Sequence, residues 1–276
     1  MPSRESGVGY RVSPEGSPTP DPGYSGPVSF TIDIPRSGWE NMAIDSALLD
    51  RAEREGKTSL RLYQWDPFCL SFGRHEPALR RYDRRRIEAL GLDTVRRPTG
   101  GRAVWHAREL TYAVAAPVER FGGIRQAYQV IHRMLAEALR NLGIGAELAP
   151  EGFVPGPAAG ACFAAPVGGE VLVEGRKVIG SAQVRQGNAF LQHGSLLLAD
   201  DQDLVRQISH DQAGVRPPPA PPFPLGKPVS FEEAAAAVRE AAGSLGELTP
   251  DPTMGDPSTS LAHGARYRSP EWTWER

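Results

Sequence analysis

Nucleophilic side chains are scarce here. A 276-residue chain with 28 arginines has two cysteines, Cys69 and Cys162, and three lysines, Lys57, Lys177 and Lys227. Cys162 stands in G-A-C-F-A-A-P, where its neighbours offer little apolar packing. Cys69, inside F-C-L-S-F, reads instead as a small buried hydrophobe, the usual fate of a lone cysteine. A free thiol titrates near pH 8.5, so a nucleophilic Cys162 needs a nearby cation. Lys177, in G-R-K-V-I-G, is an available one; an ammonium within about 4–6 Å lowers a thiol pKa by roughly one to three units. A lysine kept in so arginine-rich a background suits a task that needs an amine, because a guanidinium never loses its proton at useful pH. A surface lysine without a task is the alternative.

The turn Arg97-Pro98-Thr99-Gly100-Gly101-Arg102 offers a second kind of chemistry. Paired glycines let a backbone approach a ligand and present N–H groups to an anion or carbonyl oxygen, although a plain hairpin would need them too. No phosphate-cradling G-x-x-x-x-G-K-[ST] or helix-opening G-x-G-x-x-G exists in the chain. His106 and His193 lie in strand-like segments and read as hydrogen-bonded core residues or catalytic groups. His132 falls on the polar side of a helix, and nothing supplies a third metal ligand. Arg80, Arg81, Arg84, Arg85 and Arg86 form either a solvated helix face or a docking patch for an acidic protein.

These residues need elements to position them. Residues 28–34 alternate like a strand, and Ser37-Gly38-Trp39-Glu40 is a capping box opening a helix to Glu55, closed by Gly56. Residues 59–65 and 68–72 read as strands joined at Asp66-Pro67, with Leu60, Leu62, Phe68, Leu70 and Phe72 inward. A short helix spans 83–90. Strand, glycine turn and strand follow in D-T-V-R-R, P-T-G-G-R and A-V-W-H, then strand 109–116. The stripe Ala127, Val130, Ile131, Met134, Leu135, Ala138, Leu139 and Leu142 marks a core helix over 124–142. Residues 149–169 form a long Gly/Pro/Ala-rich loop holding Cys162. A meander comes next: E-V-L-V, R-K-V-I-G-S-A-Q-V and A-F-L-Q-H-G-S-L-L-L. A last helix opens at the Ser230/Glu233 capping box.

Composition bounds the rest. A net charge of −2 excludes a broadly basic nucleic-acid binder. Residues 1–27 read as a disordered Pro/Gly/Ser-rich tail without a signal-peptide core, 28–214 as the catalytic domain, 215–228 as a Pro-rich linker and 229–276 as a C-terminal helical subdomain. No stretch approaches the roughly 18 apolar residues of a membrane span, so a soluble, cytoplasmic protein is expected.

Taken together, R-R-P-T-G-G-R-A-V-W-H (96–106), C-F (162–163), G-R-K-V-I-G-S-A-Q (175–183) and L-Q-H-G-S-L-L-L (191–198) resemble the biotin/lipoate protein ligase superfamily. N-M-A-I-D near residue 41 and the terminal Y-R-S-P-E-W extend the resemblance over roughly residues 30–276. Within the superfamily the chain is similar to the cysteine-dependent octanoyltransferases. Arg102 stands where the ATP-dependent ligases have a third glycine, and Cys162 precedes the G-R-K strand. Two positions depart from the pattern: Ala107 replaces an Asp after the motif histidine, and Gly168-Gly169 replace an aromatic before Glu170.

The resemblance implies an α+β fold, a mixed sheet flanked by helices as in the ligase catalytic domain and class II synthetases, with the helices at 37–55 and 124–142 on one side. It implies that octanoyl passes from octanoyl-acyl carrier protein to Cys162, activated by Lys177, and then to a lipoyl-domain lysine. The acceptors would be glycine cleavage H protein and 2-oxoacid dehydrogenase acyltransferase subunits. Arg97, Thr99, Gly100, Gly101, His106, Gly180, Ser181 and His193 would line the acyl tunnel, with no metal, cofactor, nucleic acid or membrane involved. The Arg80–Arg86 cluster would meet the acidic carrier. The rivals are an ATP-dependent lipoate ligase, with Lys177 on the adenylate, and a non-catalytic acyl- or biotinyl-sensing protein.

Overall fold

The computed structural model describes residues 26–150, 169–210 and 224–275. Cys162, Gly168, most of the N-terminal tail and most of the 149–169 loop and the Pro-rich linker lie outside them. The chain begins with β1 (Val28–Ile32), α1 (Gly38–Glu55), β2 (Thr58–Tyr63) and β3 (Cys69–Phe72). Helices α2 (Ala78–Arg81) and α3 (Arg84–Ala89) precede β4 (Asp93–Arg96), β5 (Val104–His106) and β6 (Glu109–Pro117). Next come α4 (Ile124–Asn141), β7 (Ala146–Leu148), β8 (Val171–Val173), β9 (Arg176–Lys177), β10 (Ile179–Gln186) and β11 (Ala189–Leu197). The described chain closes with α5 (Asp203–Gln207), α6 (Phe231–Ala241), β12 (Leu248–Pro250), α7 (Pro257–Arg268) and α8 (Pro270–Trp274).

Six strands form the main sheet in the order β10-β11-β6-β2-β1-β12. It is mixed: β1 pairs in parallel with β2 and β12, whereas β2, β6, β11 and β10 pair antiparallel. Alternation along β6 divides the core. Leu110, Tyr112, Val114 and Ala116 pack with Ile131, Leu135 and Leu139 of α4 and Val238 of α6. Ala113 and Ala115 face the other way, among Met42, Ile44, Leu48 and Leu49 of α1. The two long helices therefore cover opposite faces of the sheet, not one face. Both sides of β6 are apolar, so both must be buried.

A second sheet, β4-β3-β5, carries the glycine turn between β4 and β5, and a third is β7-β8-β9. The expected strand R-K-V-I-G-S-A-Q-V is divided at Val178: β9 belongs to the third sheet and β10 to the main one. Phe68, expected inward, is 51% exposed. It precedes β3, so no pleat fixes its direction, while Leu70 and Phe72 are buried as read. The capping boxes hold as the sequence indicates. The Ser37 amide donates to Glu40 Oε2 (3.1 Å) and the Ser230 amide to Glu233 Oε2 (2.8 Å). Residues 229–275 join the rest: β12 pairs with β1, α6 packs on α4, α7 on α1, and α8 on β4.

Candidate active site

Between the glycine turn and the β10–β11 hairpin lies a narrow, partly open cavity. Met42, Tyr63, Trp65 and Val104 give it apolar walls. Of the residues the sequence indicated, Arg97, Gly101, His106, Gly180, Ser181 and His193 line it. Thr99 and Gly100 are not among the lining residues.

Arg97 clasps the turn from inside. Its guanidinium donates to the carbonyl and hydroxyl oxygens of Ser71 (3.0 and 2.8 Å) and to the carbonyls of Gly100 and Arg102 (3.0 and 2.6 Å). Gly101 has φ +95, and a Cβ built on Gly73 would fall 1.9 Å from its carbonyl oxygen. The turn thus rests directly on the backbone after β3, which only glycine permits at residue 73.

Two imidazoles tie this turn and its strand to the main sheet. His193 donates from Nδ1 to Asp45 Oδ2 (2.8 Å) and accepts at Nε2 from the Thr99 hydroxyl (2.7 Å). Burial pushes its pKa below the usual histidine value despite the opposing effect of Asp45, so the neutral ring fits both bonds. Asp45 is itself held by Arg61 (3.1 Å) and the Tyr63 hydroxyl (2.9 Å). Arg61 is fully buried and also reaches Asp33 (2.8 Å), which supplies the pairing a permanent buried charge demands. His106 donates from Nδ1 to Glu109 Oε1 (2.7 Å), accepts at Nε2 from Ser71 (2.7 Å) and stacks on Trp65 at 4.0 Å. Ser195 and Thr111 also donate to Glu109 Oε1 (2.8 and 2.5 Å).

Lys177 is not among the cavity-lining residues. Its Nζ donates to Glu170 Oε1 at 2.6 Å, and both side chains are 5% exposed. Cys69 is buried, with its thiol pKa pushed well up by burial and by Asp93, as suits an inert packing residue.

His132, read above as polar-face, is fully buried. The end of β10 and Gly169 cover that side of α4, and both ring nitrogens are satisfied there. Nδ1 donates to the Gly169 carbonyl (2.7 Å), and Nε2 accepts from the Ser181 hydroxyl (2.8 Å). Tyr112 then donates to Ser181 (2.7 Å), and Gln192 to Tyr112 (2.8 Å). Burial, with a smaller contribution from Lys177, lowers the His132 pKa to about 4.

Asp45, Ser71, Glu109, Glu170 and Ser195 were not marked as functional by sequence. Two carried a signal: Asp45 interrupts the apolar face of α1, and Glu109 stands three residues after His106. Among the described residues no helix is long and apolar enough to cross a membrane.

Residues 37–222 match the family model for the lipoyl protein ligase A/B catalytic domain. The octanoyltransferase LipM of Brevibacillus brevis is 36% identical over 262 residues, covering 86% of this chain and 94% of that protein. LipM of Kyrpidia tusciae is 38% identical over 259 residues with the same coverage. LipM of Carboxydothermus hydrogenoformans is 45% identical over 176 residues, 62% of this chain and 65% of that relative. Among solved structures, a lipoate-protein ligase A bound with ATP superposes with a TM-score of 0.69 at 20% identity, covering 90% of this chain and 98% of that one. A putative lipoate protein ligase from T. acidophilum with bound lipoic acid gives 0.68 at 19% identity, covering 91% and 99%. At such identities the structures speak for the fold alone, the mixed sheet flanked by helices of the ligase catalytic domain. The chain belongs to the lipoyl protein ligase A/B catalytic domain family, as an acyltransferase.

Proposed function

We propose that this enzyme moves an octanoyl group from octanoyl-acyl carrier protein to a lysine of a lipoyl domain through a thioester on Cys162. The observation that carries the reading is the similarity, over 86% of the chain, to proteins named octanoyltransferases. In the first step the Cys162 thiolate attacks the donor carbonyl and the carrier leaves as its thiolate, which takes up a proton from solvent. In the second, the acceptor lysine attacks as its neutral amine and displaces Cys162 as the thiolate, and the proton released from the nitrogen as the amide forms passes to solvent.

The cavity walled by Met42, Tyr63, Trp65 and Val104 suits the acyl chain. Burying six methylenes there contributes about 5 kcal/mol. Arg97, His106 and His193 are engaged with protein partners, so their part is to hold the glycine turn and cavity wall in place. The turn then offers backbone N–H groups to the oxyanion. Lys177 supplies the cation that a reactive Cys162 requires. Arg80, Arg85 and Arg86 present charge to the acidic carrier, whereas Arg84 is paired with Glu88 at 2.8 Å.

An apo lipoyl domain tests the reaction class. With octanoyl-acyl carrier protein it should gain octanoyl without ATP. Modification seen only with free lipoate and ATP would make the enzyme a ligase, and no modification under either condition would favour a sensing protein.

A further inference from the structure

The cavity wall is polar in composition, yet its side chains turn their protons away from the space they line. The His106 ring (2.7 Å), the Thr111 hydroxyl (2.5 Å) and the Ser195 hydroxyl (2.8 Å) all donate to one oxygen, Glu109 Oε1. Glu109 is not itself a lining residue and is 1% exposed. Asp45 collects the Tyr63 hydroxyl (2.9 Å) and the His193 ring (2.8 Å) in the same way. The other side-chain donors of the wall are spent on neighbours: the Trp65 indole on Thr111 (2.7 Å), Ser181 on His132 (2.8 Å), and the Arg97 fork on Ser71 and the turn carbonyls. The second nitrogens of His106 and His193 are met by Ser71 and Thr99, at 2.7 Å each.

A hydroxyl has one proton to give, and a carboxylate has none. Glu109 Oε2 has no hydrogen-bond partner among the described residues, but it too can only accept. Of the two carboxylates, Asp45 has a second duty, since it also pairs with the buried Arg61 (3.1 Å). The one ion-pair contact of Glu109 among the described residues is with His106.

The geometry points to Glu109 as a specificity-determining residue: by drawing the protons of His106, Thr111 and Ser195 out of the cavity, it selects an unsubstituted acyl chain over one that carries an oxo group. This rests on the reading that the acyl chain occupies this cavity. An oxo group takes about the room of the methylene hydrogens it replaces, so size does not separate the two chains. The ketone oxygen gives up its water and finds no side-chain donor in return. The oxyanion proposed above draws on backbone N–H groups of the glycine turn, not on these side chains.

The test is calorimetric titration of the full chain with octanoate and with the 4-, 5-, 6- and 7-oxooctanoates. The wild type should bind octanoate about ten- to a hundredfold more tightly than the least favoured oxo acid. Glu109→Gln releases hydroxyl protons and adds an amide donor, and should narrow that gap about three- to tenfold. A packing defect alone would weaken both acids and leave the gap as it was. Glu109→Asp, too short to hold all three donors, should narrow it by less. Equal binding of the acids by the wild type, no binding of octanoate, or an unchanged gap in a Glu109→Gln protein that melts cooperatively overturns the proposal. Should Glu109→Gln fail to fold, an unchanged gap in Glu109→Asp does the same. Octanoyl transfer from the carrier is scored separately. A gap that Glu109→Gln narrows, in an enzyme that transfers no octanoyl, would uphold the role of Glu109 and reject the transfer reaction.

Discussion

His106, His132 and His193 each give one ring N–H to a carboxylate or carbonyl and take a hydroxyl proton at the other nitrogen. Burial keeps the His132 and His193 rings neutral, and for His132 the consequence is measurable. The unfolded chain takes up its proton near pH 6.5, the folded one only near pH 4. Between those values the unfolded state binds more protons, so stability is present above the unfolded value and falls as pH is lowered through the window. The loss is on the order of 3 kcal/mol. Urea melts at pH 7 and 4.5 should show a smaller difference for His132→Gln than for the wild type; equal differences would contradict the assignment. Sequence placed His132 on the polar side because the apolar stripe excludes it, and helical periodicity cannot tell a solvated polar residue from one with buried partners. Arg97 teaches the same lesson. The resemblance marked it as a tunnel residue; it lines the cavity, and its fork also bridges Ser71 and the carbonyls of Gly100 and Arg102, which no sequence pattern indicated. Arg97→Lys keeps the charge but not the fork. It should cost about 2–4 kcal/mol in a denaturant melt and raise the KM for the octanoyl donor several-fold.

The segment β4, glycine turn and β5 was legible because paired glycines separate two short runs that hold β-branched and aromatic residues, Thr94 and Val95 before them and Val104 and Trp105 after. That it forms a separate sheet with β3 was not, since the partners lie far apart in sequence. The three-residue strands β7 and β12 are too short for a periodic signal. The resemblance alone put the two long helices on one face, although E-L-T-Y-A-V-A-A carries apolar residues on both sides. Two glycines of the turn region should respond differently. Gly73→Ala sets a methyl against the Gly101 carbonyl and must displace the turn, costing about 1–3 kcal/mol in a thermal melt and at least tenfold in transfer rate. A Cβ on Gly100 meets nothing within 4 Å, so Gly100→Ala should melt like the wild type. A fall in kcat/KM there with unchanged melting places the ligand against the turn.

The C-terminal residues complete the molecule around Arg96. This fully buried guanidinium donates to the carbonyls of Trp272 (2.9 Å) and Gly73 (2.6 Å), and the Trp272 indole donates back to the Arg96 carbonyl (2.9 Å). The terminal Y-R-S-P-E-W thus secures the strand from which the glycine turn departs. Family resemblance marked that segment, while its patterning alone did not, because its tryptophans pack against a distant strand. Trp272→Ala should cost about 3–5 kcal/mol in urea melts and reduce transfer. At this scale the central claim is that the chain carries octanoyl on one thiol. Intact mass spectrometry after mixing with octanoyl-acyl carrier protein tests it most directly. The prediction is a single octanoyl adduct that is absent in Cys162→Ala, forms slowly at neutral pH in Lys177→Ala, and disappears when an apo lipoyl domain is added. A wild-type enzyme that transfers octanoyl without any adduct, or an adduct that persists in Cys162→Ala, would contradict it.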